Sequence, residues 1–228
     1  MSFRRRIVEN EFLMSGLAER GYSLSPLDDD ENHCAFIDNS PADIAVKILI
    51  SVWDRVTFRC ALLVCSHNVS RQFHSKGLFL DEHVDKAESP EAVLAVELLW
   101  LRWNDDPENA QHHRNDYSYV NEAGSRRFFE DLDTLASPLL SSVASATRLA
   151  GFLAHLSEYP VHTTLGGRPV STDPFLYAAL LYIDTGDLDE ARKVLDRGVA
   201  FYSVSDVGTP AQVRRYQNFV ERRRLLLS

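Results

Sequence analysis

The stretch Pro174-Phe-Leu-Tyr-Ala-Ala-Leu-Leu-Tyr-Ile-Asp-Thr-Gly-Asp-Leu-Asp-Glu-Ala-Arg-Lys-Val-Leu-Asp-Arg-Gly-Val-Ala-Phe201 reads as two antiparallel helices joined at Thr185-Gly186-Asp187. Pro174 suits a first helical turn, where its missing N–H is no loss. Phe175, Ala178, Ala179 and Tyr182 recur three or four residues apart and define an apolar stripe. Gly186 can end that helix in a left-handed conformation, and Asp187 with Glu190 forms a capping box for the next. Ala191, Val194, Leu195 and Gly198 make the facing stripe. The small residues at 178, 179, 191 and 198 allow the two backbones a close approach.

Phe175, Ala179, Tyr182, Gly186, Ala191 and Leu195 together resemble one tetratricopeptide-type repeat. The pattern departs at Gly198, where alanine is usual, and at Ser203, where a proline often follows. No second copy is present in the sequence, and arrays of this kind need about three units to bury a continuous core. The resemblance implies either one helical hairpin within a globular protein or a helical adaptor surface.

Working toward the N-terminus, a small hairpin or an extended loop is expected over 161–170, centred on Gly166-Gly167, and helices over Pro138–Leu156 and Ser125–Ala136. A last helix opens at Pro210 and runs to about Leu227, its basic Arg222-Arg223-Arg224 suiting the negative end of the helix dipole. The polar run 104–124 marks a boundary, giving a division at 1–110 and 111–228, or one continuous domain. Ahead of it, Ser89 and Pro90 open a helix expected to continue to Trp103, with large apolar residues in nearly every direction around its axis. Such a helix belongs to a core or beneath a partner.

The N-terminal part combines a helix over Ser2–Arg20 with three strand candidates, His33–Ile37, Asp43–Trp53 and Arg55–Cys65. The second and third are separated only by about Asp54 and predict a hairpin; a short helix is expected at Asn68–Ser75. The fold class is therefore α+β: an N-terminal helix and small antiparallel sheet, then a mainly helical C-terminal half. The element order and the paired strands 43–65 resemble uncharacterised bacterial domains of similar size, some of which serve as immunity proteins beside toxins.

Charge divides unequally along the 228 residues. Residues 1–110 carry 11 Lys/Arg against 19 Asp/Glu, and residues 111–228 carry 13 against 14. The acids cluster at Asp28, Asp29, Asp30 and Glu31 and, after Trp103, at Asp105, Asp106 and Glu108. These eight residues are the candidate partner-binding set: an acidic surface repels nucleic acid and steers basic proteins, and a Trp rimmed by acids suits an interface hot spot. Cys34, Cys60 and Cys65 are too few and wrongly spaced for a disulfide framework, so buried reduced thiols in the cytoplasm are expected. No apolar run approaches the length that spans a bilayer.

No catalytic motif emerges from the sequence. It holds no Gly-x-Ser-x-Gly elbow, no phosphate loop and no dinucleotide-binding turn. His112-His113 with Asp116 and Tyr117 nearby is the strongest local constellation with metal or proton-transfer chemistry, but adjacent histidines diverge and lack the His-x-x-x-His spacing. No cofactor and no metal are expected, and no nucleic-acid or membrane partner. The function that follows is non-enzymatic protein binding, as an immunity-type inhibitor of a basic toxin or enzyme. The alternatives are a helical-repeat-like adaptor using the C-terminal helices and a metal-dependent hydrolase around His112 and His113.

Overall fold

The structure is a computed structural model that describes residues 2–25, 31–38, 43–52, 54–78, 92–105, 108, 117–158, 169–204 and 209–228. The expected α+β architecture holds. The chain forms two compact units, one of residues 1–64, 95–142 and 159–170, the other of residues 65–94, 143–158 and 171–228. The chain thus passes between the units at 64/65, 94/95, 142/143, 158/159 and 170/171.

In the first unit the expected single N-terminal helix is two, α1 (Phe3–Val8) and α2 (Glu11–Glu19). Asn10 breaks it: its side chain accepts from the Leu13 amide at 2.9 Å and donates to the Tyr119 carbonyl at 2.8 Å. The break has a packing reason. Phe3 and Ile7 share a face, but Leu13 lies six residues beyond Ile7, which at 3.6 residues per turn points away in a continuous helix. Restarting the helix at Asn10 lets Ile7, Leu13 and Leu17 all be buried in one core.

Five strands form an antiparallel sheet in sequence order: β1 (Tyr22–Leu24), β2 (His33–Asp38), β3 (Ile44–Val52), β4 (Phe58–Ser66) and β5 (Leu94–Glu97). The three expected strands are β2, β3 and β4. Register pairs Cys34 with Ile50 and Phe36 with Ile48, so these four buried side chains share one face. Phe58, Cys60, Leu62 and Val64 continue the inward alternation on β4. Asp54 holds the turn before β4 by accepting from the Val56 and Thr57 amides, which also keeps its carboxyl below the ordinary range.

The expected helix from Ser89 to Trp103 is corrected. Leu94–Glu97 is strand β5, and only α4 (Leu98–Asp105) is helical; residues 79–91 lie outside the described residues. Leu94 and Val96 are buried and alternate with Ala95 and Glu97, while Ala95 exchanges two 2.8 Å backbone bonds with Val170. Apolar residues in every direction belong here to a strand followed by a helix, a distinction that periodicity cannot make over so short a run.

Next come α5 (Glu122–Asp131), a π-helical turn (Leu132–Ala136) and α6 (Ser137–Ser142). The widened turn precedes Pro138, which has no N–H to donate and whose ring crowds the carbonyl one turn back. Opening the spiral there keeps the helix running through the proline.

The second unit is helical: α3 (His67–Ser75), α7 (Ala146–Ala154), α8 (Pro174–Asp184), α9 (Leu188–Val204) and α10 (Pro210–Leu227). The continuous helix expected over 138–156 is divided, because Ser145 starts a new helix by accepting from the Arg148 amide. The αα-hairpin is α8 and α9. Asp173 caps α8, Gly186 ends it at φ 82°, and Asp187 accepts from the Glu190 amide at 3.2 Å. Every residue from Phe175 to Leu181 is buried, because α7, α9 and α3 all pack on α8, while α10 packs on α9. Gly198 now has a cause: a Cβ there would stand 2.3 Å from the Phe219 ring of α10, so even alanine is excluded. Cys34, Cys60 and Cys65 are buried and in no disulfide, and burial raises the Cys60 thiol well above its ordinary value.

Candidate functional site

Two features of the first unit unite polar chemistry with built geometry, one buried and one open. The buried one centres on Asp131 at the end of α5. Its carboxylate is 1 % exposed and accepts from Arg102 Nη1 at 2.8 Å and from the Tyr117 hydroxyl at 2.8 Å. Tyr117 stacks on Phe58 and meets Phe128 edge-on. Burial, then the Asp131 carboxylate, holds the phenol protonated far above its ordinary range. This cluster ties α4, α5 and the segment before α5 together.

The open feature is a cleft of about 290 Å³ between α2 and α5. Gly16 makes it possible, since a Cβ there would lie 2.3 Å from the Phe129 ring and force the helices apart. Phe12 and Phe129 supply aromatic walls, with ring centres 5.9 Å apart, and Phe12 is 39 % exposed. Glu19 stands two turns from Phe12 on α2, and Glu130 lies on α5. Arg20 closes one end: it binds Asp133 through Nε at 2.7 Å and Nη2 at 2.5 Å, donates to the Gly16 carbonyl at 2.8 Å, and lies 4.4 Å above the Phe129 ring.

Asp133 belongs to the π-helical turn, a geometry frequent at functional sites. A smaller cleft of about 220 Å³ lies on the other side of the same ion pair, lined by Tyr22, Leu132, Ser137 and Leu140. The Tyr22 phenol is pushed up to about 12, first by burial and then by the nearby Asp38 carboxylate. Its folded value lies above the unfolded value of about 10, so its contribution to stability is complete below pH 10 and is lost as pH rises toward 12. In an alkaline titration, phenolate absorbance from Tyr22 will therefore lag that of free tyrosine, and Tyr22→Phe will remove one tyrosine's share of the lagging absorbance, the share that appears near pH 12, while Tyr117 and Tyr202 continue to lag.

The residues singled out from the sequence fare differently. Glu31, Asp105 and Glu108 are exposed. Trp103 is 2 % exposed within the core cluster and is no surface hot spot. Asp28, Asp29, Asp30 and Asp106 lie outside the described residues, as do His112, His113 and Asp116. Among the described residues no group of His, Cys, Asp or Glu is placed to hold a metal ion, and no helix is long and apolar enough to cross a membrane. The α2–α5 cleft was missed. Its one sequence signal is that Phe12 and Leu13 are both large and apolar where the inward stripe needs only one.

Comparison with protein-family models, with curated proteins and with solved structures finds no match to this chain. The functional reading therefore rests on charge and geometry.

Proposed function

We propose that this chain is a non-enzymatic protein-binding protein, an immunity-type inhibitor that blocks a basic toxin or enzyme with the acidic surface of its first unit. The observation that carries the reading is the charge of that unit, 12 Lys/Arg against 19 Asp/Glu, whereas the second unit has 12 against 14. Long-range fields of this kind raise association rates and select partners of opposite sign. Asp105 adds to the argument. It is exposed and closes α4 at the end where the helix dipole disfavours an anion, so it adds acidity to the surface without stabilising the helix.

Affinity capture of the tagged chain from its native lysate, at low and high salt, tests this. The expected result is one stoichiometric basic protein lost at high salt. Reversing the acids at 28–31, 105, 106 and 108 to lysine should slow its association about tenfold or more. Capture that is salt-insensitive and indifferent to the reversals would overturn the reading.

A second reading, an adaptor working through the C-terminal helices, draws on Leu188, Phe201 and Val220, which are large, apolar and exposed on α9 and α10. It makes the opposite forecast: charge reversal leaves binding intact, whereas truncation after about residue 170 abolishes it.

A further inference from the structure

We propose that the α2–α5 cleft is the anchor pocket for a single arginine or lysine side chain of the basic partner. The proposal rests on the inhibitor reading above and adds the place and chemistry of recognition. Three observations carry it.

The first is size. At about 290 Å³ the cleft falls at or below the lower limit of small-molecule sites, which run from roughly 300 to 1,000 Å³. It suits one long side chain better than a cofactor.

The second is the chemistry of the walls. Phe12, 39 % exposed, lines the cleft, and aromatic rings attract cations. The same cleft already shows this preference internally, where the Arg20 guanidinium lies 4.4 Å above Phe129.

The third is the charge left over once internal pairs are formed. Arg20 is held by Asp133 and the Gly16 carbonyl and also feels the Glu19 carboxylate, and Arg126 makes an exposed contact with Glu122 at 2.8 Å. Glu130 holds only an exposed contact with Arg127 at 3.3 Å, and such contacts are worth little. The charged residues lining the cleft are Glu19, Glu130 and Asp133 against Arg20 and Arg126, three carboxylates to two guanidiniums, so the cleft is net negative beside its aromatic wall. An anionic ligand would meet these carboxylates, whereas a guanidinium or ammonium would complete them.

The test uses the full chain and two blocked tetrapeptides that differ only in one residue, arginine or its uncharged isostere citrulline, followed by ¹H–¹⁵N NMR titration. The arginine peptide should shift amides around Phe12, Glu19 and Glu130 with an affinity in the millimolar range, and the citrulline peptide should not. Phe12→Ala should weaken binding about two- to fivefold, the range of an exposed cation–π contact, and E19Q/E130Q should weaken it further. Circular dichroism on each variant checks that the fold is kept. Equal shifts with citrulline, or shifts only outside the cleft, would overturn the proposal.

The two readings fail separately. If the captured partner responds to reversal of the 28–31 and 105–108 acids but not to Phe12→Ala or E19Q/E130Q, the inhibitor reading stands and the anchor pocket falls. If the cleft takes the arginine peptide but no basic protein is captured, the pocket chemistry stands and the inhibitor reading falls.

Discussion

Replacing Asp131 by alanine will destabilise the first unit by about 3–5 kcal/mol, the range for removing one partner from a buried ion pair. Two losses combine. Arg102 keeps a charge with little access to water, its side chain being 15 % exposed, and the Tyr117 hydroxyl loses its 2.8 Å acceptor in a position that is 1 % exposed. Each alone is costly, because an unpaired buried donor forfeits its hydration with nothing in return. Thermal denaturation should show a fall in Tm on the order of 10 °C for a unit of this size.

The control separates charge from packing. Arg102 Nε has no acceptor among the described residues, so the pair is an imperfect one. The double variant R102M/D131L, which fills the space and removes both charges, should recover most of the loss. Recovery would show that the damage in the single variant lies in the orphaned cation. If D131A were neutral, the cluster would have to be far more solvated than its burial indicates.

What could be read in advance divides by range. Strands 33–38, 44–52 and 58–66 were legible because alternation and β-branched residues act over a few positions, and the last helix was legible because Pro210 is a local start signal. Residues 94–97 were misread because Leu-Ala-Val-Glu suits either period and only the sheet neighbours decide. The Asn10 break was carried by a contact 109 residues away, with the Tyr119 carbonyl. The cleft is of the same kind: Arg20 and Asp133 are 113 residues apart, and Gly16 is explained only by the Phe129 ring it meets. The exposed acids Glu31, Asp105 and Glu108 were legible because composition alone places unpaired carboxylates at the surface.

In the second unit the largest effect is expected at Asp173, where one carboxylate does three things. Its Oδ1 accepts from the Leu176 amide at 3.3 Å, capping α8, and from the Tyr202 hydroxyl of α9 at 3.4 Å. Its Oδ2 lies 3.6 Å from Nη1 of Arg222 on α10. Arg222 is 6 % exposed, donates through Nε to the Leu78 carbonyl at 2.9 Å and lies 5.3 Å from the centre of the Phe73 ring. Asp173→Ala removes the cap, worth about 1 kcal/mol, and also takes one carboxylate from the buried Arg222 guanidinium, for a total of roughly 3–5 kcal/mol. Asp173→Asn separates the two terms, since asparagine caps as well as aspartate but carries no charge. The expected order of Tm is wild type, then D173N, then D173A, with the gap between the first two measuring the ion pair and the gap between the last two the cap. The pair also joins α8 to α10, which meet α9 from either end of the hairpin's sequence, so hydrogen exchange should accelerate in α10 as well as at the start of α8. Faster exchange confined to the first turn of α8 would show that Asp173 is a helix cap alone and that Arg222 is held by Leu78 and Phe73 without it.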